Sequence, residues 1–181
     1  IADTDTAALL VLHDGAVRYE QYWLTGGQDV RWLSMSVAKS FISAMVGIAV
    51  GEGKIGSIDQ PISDYIVTTP GSAYDGVAIR DVLEMSSGAR WNEDYSDPDS
   101  EIFQLSAALR GPGTLDEFVA NATAESEPGT VCQYNSADTQ ALGALLVAAT
   151  GRSITDYMTD KLVEPLGMEL ASHWLTDSTG R

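Results

Sequence analysis

Apolar residues fall into two rhythms along this chain. Residues 7–13, Ala-Ala-Leu-Leu-Val-Leu-His, form a continuous apolar run, and after Asp14-Gly15 residues 16–24 read as a returning strand. Asp-Gly between two such runs marks a two-residue hairpin turn. The first strand is apolar on both faces, which predicts a sheet covered by helices. Two strands are too few for an independent sheet, so further strands must complete it. Beyond a loop at residues 25–29 the rhythm becomes helical. Residues 36–52 place Phe41, Ile42, Met45, Val46, Ile48 and Ala49 on an apolar stripe, and Gly51-Glu52-Gly53 ends the helix.

The helical rhythm then persists. Residues 58–66 read as an extended or short helical connector, and residues 79–85 as a short helix closed by Ser86-Ser87-Gly88. Two more short helices are expected at 100–110 and 115–122, with Gly111-Pro112-Gly113 between them. A long helix at 137–150 stops at Gly151, and a last one at 154–162 runs into Pro165-Leu166-Gly167-Met168. A hairpin followed by many helices is an α+β pattern.

Composition narrows the partners. The 181 residues are 44% hydrophobic, enough for a real core, and carry 26 acidic against 10 basic residues for a net charge of −16. Such a balance disfavours nucleic acid and anionic membranes, because neither phosphate neutralisation nor a polybasic patch is on offer. No apolar run reaches the roughly 18 residues that span a bilayer. Cys132 is the one cysteine, so no intrachain disulfide forms and the compartment stays open between cytoplasmic and exported.

The candidate chemistry sits at the start of the helix at 36–52. Ser36 and Lys39 are three residues apart, one turn on the same helical face, so the hydroxyl and the amine can meet. A serine hydroxyl becomes a nucleophile when a nearby base takes its proton, and a helix start favours developing negative charge. A chance Ser-x-x-Lys is expected in roughly a quarter of chains with this many serines and lysines. Ser36 as a helix cap and Lys39 as its solvated flank is the competing reading. A second candidate, Tyr134, precedes the long helix. It reads either as a core ring with a bonded hydroxyl or as a phenolic proton relay beside the lysine.

Several blocks in a fixed order carry a resemblance: Ser36-Val-Ala-Lys39-Ser-Phe, Ile58-Asp-Gln-Pro-Ile-Ser-Asp-Tyr65, Ile79-Arg-Asp-Val-Leu-Glu-Met-Ser-Ser-Gly88, Arg90-Trp-Asn-Glu-Asp-Tyr95, Pro128-Gly-Thr-Val-Cys-Gln-Tyr134-Asn-Ser136, Leu142-Gly143, Thr150-Gly151 and Pro165-Leu-Gly-Met168. Together they resemble the serine hydrolases built like class C β-lactamases and D-Ala-D-Ala peptidases, most of all the esterase and 6-aminohexanoate-dimer hydrolase branch. The resemblance implies a β-lactamase-like (DD-peptidase-like) α+β fold. It implies Ser36 as acylated nucleophile, Lys39 as its partner base and Tyr134 as second general acid/base. Asn135, Ser136 and Tyr95 are implied on the substrate side. The family's usual Tyr-x-Asn is here Tyr134-Asn135-Ser136, with serine in the third place, so the Asn side chain that would contact a substrate amide is absent, or Asn135 is turned away, and the case for β-lactams is weakened.

The family's third motif, a cation before Ser/Thr-Gly on a late strand, is missing. Asp177-Ser178-Thr179-Gly180 imitates it with aspartate in the cation's place and is rejected. The chain thus reads as the N-terminal half of such an enzyme: hairpin and entry loop at 1–33, nucleophile helix at 34–53, helical subdomain at 54–136, returning helices at 137–181. The sheet is then incomplete in this chain, and a second chain carrying the C-terminal half, or a continuation of this one, would supply the second oxyanion-hole donor.

The expected reaction is acyl transfer from a small ester or amide to water, with no metal and no cofactor. β-Lactamase or D-amino-acid peptidase activity and a non-catalytic penicillin-binding-fold module are the alternatives. His13 and His173 lack metal-pair spacing, and no Gly-x-Ser-x-Gly elbow occurs. Asp97, Asp99 and Glu101 read as a solvated loop, and Gly26-Gly27 lacks the context of a phosphate loop. The catalytic reading requires the Ser36 hydroxyl within hydrogen-bond reach of Lys39, with Tyr134 close to both.

Overall fold

A computed structural model describes residues 4–180. Two compact units divide the chain, residues 1–35 and residues 36–181.

The first unit is a hairpin. Strand β1 (Ala8–His13) pairs antiparallel with β2 (Ala16–Tyr22), and Asp14 and Gly15 both take positive φ, 54° and 73°. That is the turn Asp-Gly predicts, because two left-handed residues match the twist of the strands. The register, with Leu9 opposite Gln21 and Val11 opposite Tyr19, shifts between Val11 and Leu12, which faces Val17. One residue of β2 bulges there, increasing the local twist. Past β2, Gly26 packs so closely that a Cβ would lie 1.9 Å from the Ala7 carbonyl oxygen. The expectation of a strand buried on both faces is not met: Leu10 and Leu12 are 53% and 57% exposed. A lone two-stranded ribbon has no means of burying its own faces.

The second unit is helical. Helix α1 (Val37–Gly51) buries Ile42, Met45, Val46 and Ala49, positions i, i+3, i+4 and i+7 of one stripe. A 3₁₀ turn at Ile62–Asp64 and helix α2 (Ile79–Leu83) follow. Ile62 donates to the Val77 carbonyl at 2.7 Å and Ile79 to Gln60 at 3.0 Å, closing the connector onto α2. Helix α3 (Glu101–Arg110) buries no residue fully. Helix α4 (Leu115–Ala120) opens on a Thr114/Glu117 capping box and stops two residues earlier than its apolar pattern suggests.

The long helix α5 (Ser136–Thr150) lies at the centre, packed against α1, α2, α4 and α6 (Ile154–Met158). Its Ala141, Leu142, Leu145 and Leu146 are buried, and Gly151 ends it in the left-handed conformation. The expected helix over 154–162 is regular only to Met158 and then widens into a π turn at Thr159–Val163. There Lys161 pairs with Glu52 at 2.9 Å, beyond the C-terminus of α1, and Tyr157 donates to Glu52 at 3.0 Å. Those two contacts hold the Glu52 carboxyl below its ordinary value.

Candidate active site

Ser36 stands one residue before α1. Its backbone is already helical (φ −70°, ψ −6°) and its side chain makes no capping hydrogen bond, so the cap reading does not hold. No acidic residue occupies the first turn of α1, which leaves its positive end uncompensated. Lys39 Nζ donates to Ser36 Oγ at 3.2 Å. The Tyr134 hydroxyl donates to the same oxygen. Lys39 Nζ also lies 5.0 Å from the centroid of the Tyr134 ring, within cation–π range. The three side chains therefore converge on one oxygen. Tyr134 is 50% exposed, so its ring is not a core element.

The backbone around Tyr134 is tightly held. Gln133 N–H donates to the Met85 carbonyl at 2.8 Å, Asn135 N–H to Met85 Sδ at 3.3 Å, and Gln133 Nε2 to the Trp91 carbonyl at 2.7 Å. Met85 itself sits at φ 55°, a strained value for a side-chain-bearing residue. The turn after it depends on Gly88, where φ is 80° and a Cβ would lie 2.1 Å from the Ser126 carbonyl oxygen. Segment 85–88 and segment 125–135 are thereby stitched together just ahead of α5.

Asn135 caps the helix that follows Tyr134. It is buried, and its Oδ1 accepts from Ala137 N–H at 2.8 Å and Asp138 N–H at 3.3 Å, capping α5. Its side-chain carbonyl oxygen is thus committed to the cap. Ser136 is half-buried and donates to Glu93, as does the Tyr95 hydroxyl at 3.0 Å. Tyr95 is 65% exposed and meets Phe103 edge-on at 6.4 Å.

Two acidic residues not singled out in the sequence belong to this neighbourhood. Glu93 gathers Trp91, Tyr95 and Ser136. The Glu-x-Tyr spacing inside the Trp91–Tyr95 block was its only linear trace. Asp138 is fully buried; its Oδ1 accepts from Tyr74 at 2.9 Å and Ser87 at 2.6 Å, while Oδ2 has no partner. Burial pushes its carboxyl up to about 6, against the opposing pull of Ser87 and Tyr74. Nothing linear distinguishes an aspartate in the first turn of a helix from an ordinary solvated one.

Among the described residues, no group of three or more His, Cys, Asp or Glu could hold a metal ion. No described helix is long and apolar enough to cross a membrane.

The beta-lactamase family profile matches residues 2–179. The chain belongs to that family. It is 33% identical over 187 residues to the 6-aminohexanoate-dimer hydrolase of Paenarthrobacter ureafaciens, covering 99% of this chain and 47% of that protein. To the D-aminopeptidase of Brucella anthropi it is 28% identical over 79% of this chain and 26% of that one. Among solved structures, a Bacillus anthracis protein described as a 6-aminohexanoate-dimer hydrolase superposes with a TM-score of 0.84 at 22% identity, covering 99% of this chain and 49% of that one. The octameric penicillin-binding protein homologue of Pyrococcus abyssi gives 0.66 at 23% identity, over 96% and 45%. The fold of this beta-lactamase-family chain is the β-lactamase-like α+β fold. It spans about half the length of the hydrolase relative and about a quarter of the aminopeptidase.

Proposed function

We propose that this chain carries the nucleophile-bearing part of a serine hydrolase that cleaves ester or amide bonds through an acyl-serine intermediate. The convergence of Lys39 and Tyr134 on Ser36 Oγ is the observation that carries the reading. Ser36 Oγ attacks the substrate carbonyl, and its proton passes to the Lys39–Tyr134 pair as the new C–O bond forms. Backbone N–H groups at the open start of α1 stabilise the oxyanion. The same pair protonates the departing amine or alkoxide, and water then attacks the acyl-serine by the reverse proton path.

Similarity to the 6-aminohexanoate-dimer hydrolase favours a small linear amide or a carboxylester as substrate. Similarity to a D-aminopeptidase supports D-amino-acid amides as a second class. Serine at position 136, where the family's second motif usually has asparagine, disfavours β-lactams. The 6-aminohexanoate-dimer hydrolase is about twice as long; a further segment, covalently joined or on a second chain, would complete the sheet and supply the second oxyanion donor.

Intact mass after incubation with a fluorophosphonate tests the reading, on the wild type and on Ser36→Ala. One adduct, absent from the variant, is expected. An adduct retained in Ser36→Ala, or none on the full-length protein, overturns it in favour of a binding module.

A further inference from the structure

Helix α5 carries a single ionisable side chain, Asp138, and buries it fully. Tyr74 and Ser87 donate to its Oδ1 at 2.9 and 2.6 Å, and Oδ2 has no hydrogen-bond partner. The titratable side chains on the helices packed against α5 are Lys39 on α1, Arg80 and Asp81 on α2, Asp116 and Glu117 on α4, and Asp156 and Tyr157 on α6. None of them hydrogen-bonds or ion-pairs with Asp138. A buried charge without a cation is costly, and burial accordingly pushes this carboxyl up to about 6.

What that charge disturbs is the seat of Tyr134. Ser87 shares a turn with Met85, and Met85 receives the N–H groups on both sides of Tyr134. Gln133 donates to its carbonyl at 2.8 Å and Asn135 to its sulfur at 3.3 Å. Asn135 in turn accepts from Asp138 N–H at 3.3 Å. Two routes therefore join Asp138 to the residues flanking Tyr134, one through the 85–88 turn and one through Asn135. The same two segments enclose a cavity of about 10 Å³ that Asp138 borders, with Met85 and Ser87 contributed by one and Ser126, Gln133 and Asn135 by the other. That is about the least space a water molecule takes.

As an acid, Asp138 is neutral and still accepts both hydroxyls on Oδ1. As a carboxylate it only accepts, with one oxygen unserved, and the bordering cavity is where water can reach it. We infer that Asp138 is a positioning residue that makes the site sensitive to pH: its ionisation hydrates the cavity, loosens segment 85–88 from segment 125–135, and lets the Tyr134 phenol drift from Ser36 Oγ. This rests on the serine-hydrolase reading and adds a control to it. The neutral form is the aligned one, so alignment is lost as pH rises. Asparagine copies that form, keeping the accepting oxygen and placing NH₂ where the acid has OH.

The test uses the full-length protein, a p-nitrophenyl ester, and fluorophosphonate labelling of Ser36 taken to completion, which counts folded sites. From pH 5 to pH 8 the ratio of kcat per labelled site, Asp138→Asn over wild type, is expected to rise about tenfold, within the hundredfold that a 1 Å misplacement costs. The ratio of KM values should stay level. Groups that titrate in both proteins cancel. A merely structural role would move the unfolding midpoint with pH and leave kcat per site in fixed proportion, so a kcat ratio that is level or falls overturns the proposal. If wild-type Ser36 labels and the ratio does not rise, only the Asp138 proposal falls. If wild-type Ser36 labels at no pH, the hydrolase reading falls and takes this one with it. Should Asp138→Asn not fold, Asp138→Ser, which cannot ionise, serves in its place: a ratio rising with pH supports the proposal and a level one overturns it.

Discussion

Two helix starts meet in this site, and they are built in opposite ways. At the start of α1, Ser36 is exposed, uncapped and free of acidic neighbours in the first turn. At the start of α5, Asn135 caps two N–H groups, Asp138 anchors Tyr74 and Ser87 from within, and Met85 takes hydrogen bonds from both sides of Tyr134. One end keeps its dipole and its hydroxyl available for chemistry. The other satisfies nearly everything so that a single phenol is held still. Reactivity and rigidity are thus assigned to different helices, and the site exists where they touch.

The contrast breaks most visibly at Ser36. Ser36→Ala is expected to lower turnover by about a thousandfold or more while changing stability by no more than about 0.5 kcal/mol, as the side chain is exposed and caps nothing. Parallel kinetics and thermal unfolding check both halves. A large loss of stability would mean that the α1 start is structural after all.

Asp138 gives the next largest effect, with the opposite character. Its folded carboxyl is raised from 3.8 to about 6, so the fold favours the protonated form. The stabilisation is full below about pH 4 and is lost as pH rises through about 6, an amount on the order of 3 kcal/mol. Asp138→Asn removes this dependence. Denaturant unfolding from pH 4 to pH 8 should show a downward slope for the wild type, a flatter line for the variant, and the variant the more stable above pH 7. Matching slopes would show that Asp138 is not the titrating group.

Asn135→Ala is expected to cost about 1–2 kcal/mol through the lost α5 cap. It also sharpens the comparison, because a phenol whose support has loosened should lose kcat before KM. Asn135→Asp, which keeps the capping oxygen, should recover most of both.

What the sequence disclosed follows the range of each interaction. Asp14-Gly15, the α1 stripe and Gly151 act within a few residues, and each was legible as written. The Ser36–Lys39 approach is one helical turn and follows from spacing alone. Tyr134 lies 98 residues from Ser36, and only the resemblance to a family put the two together before the geometry did. Glu93 reaches Ser136 across 43 residues and Tyr74 reaches Asp138 across 64, with no motif to announce either. Asn135 beside Tyr134 also serves as the cap of α5, a role its type and place before a long helix make legible. The strand at residues 8–13 misled for a different reason: burial belongs to a strand's neighbours, and apolar composition states only what would be favourable.

The clamp of Lys161 and Tyr157 on Glu52 lies at the opposite end of α1 from the proposed nucleophile, about 24 Å away at 1.5 Å per residue. Dissolved salt, which weakens partly exposed ion pairs, is therefore expected to loosen the anchoring of that end of the helix.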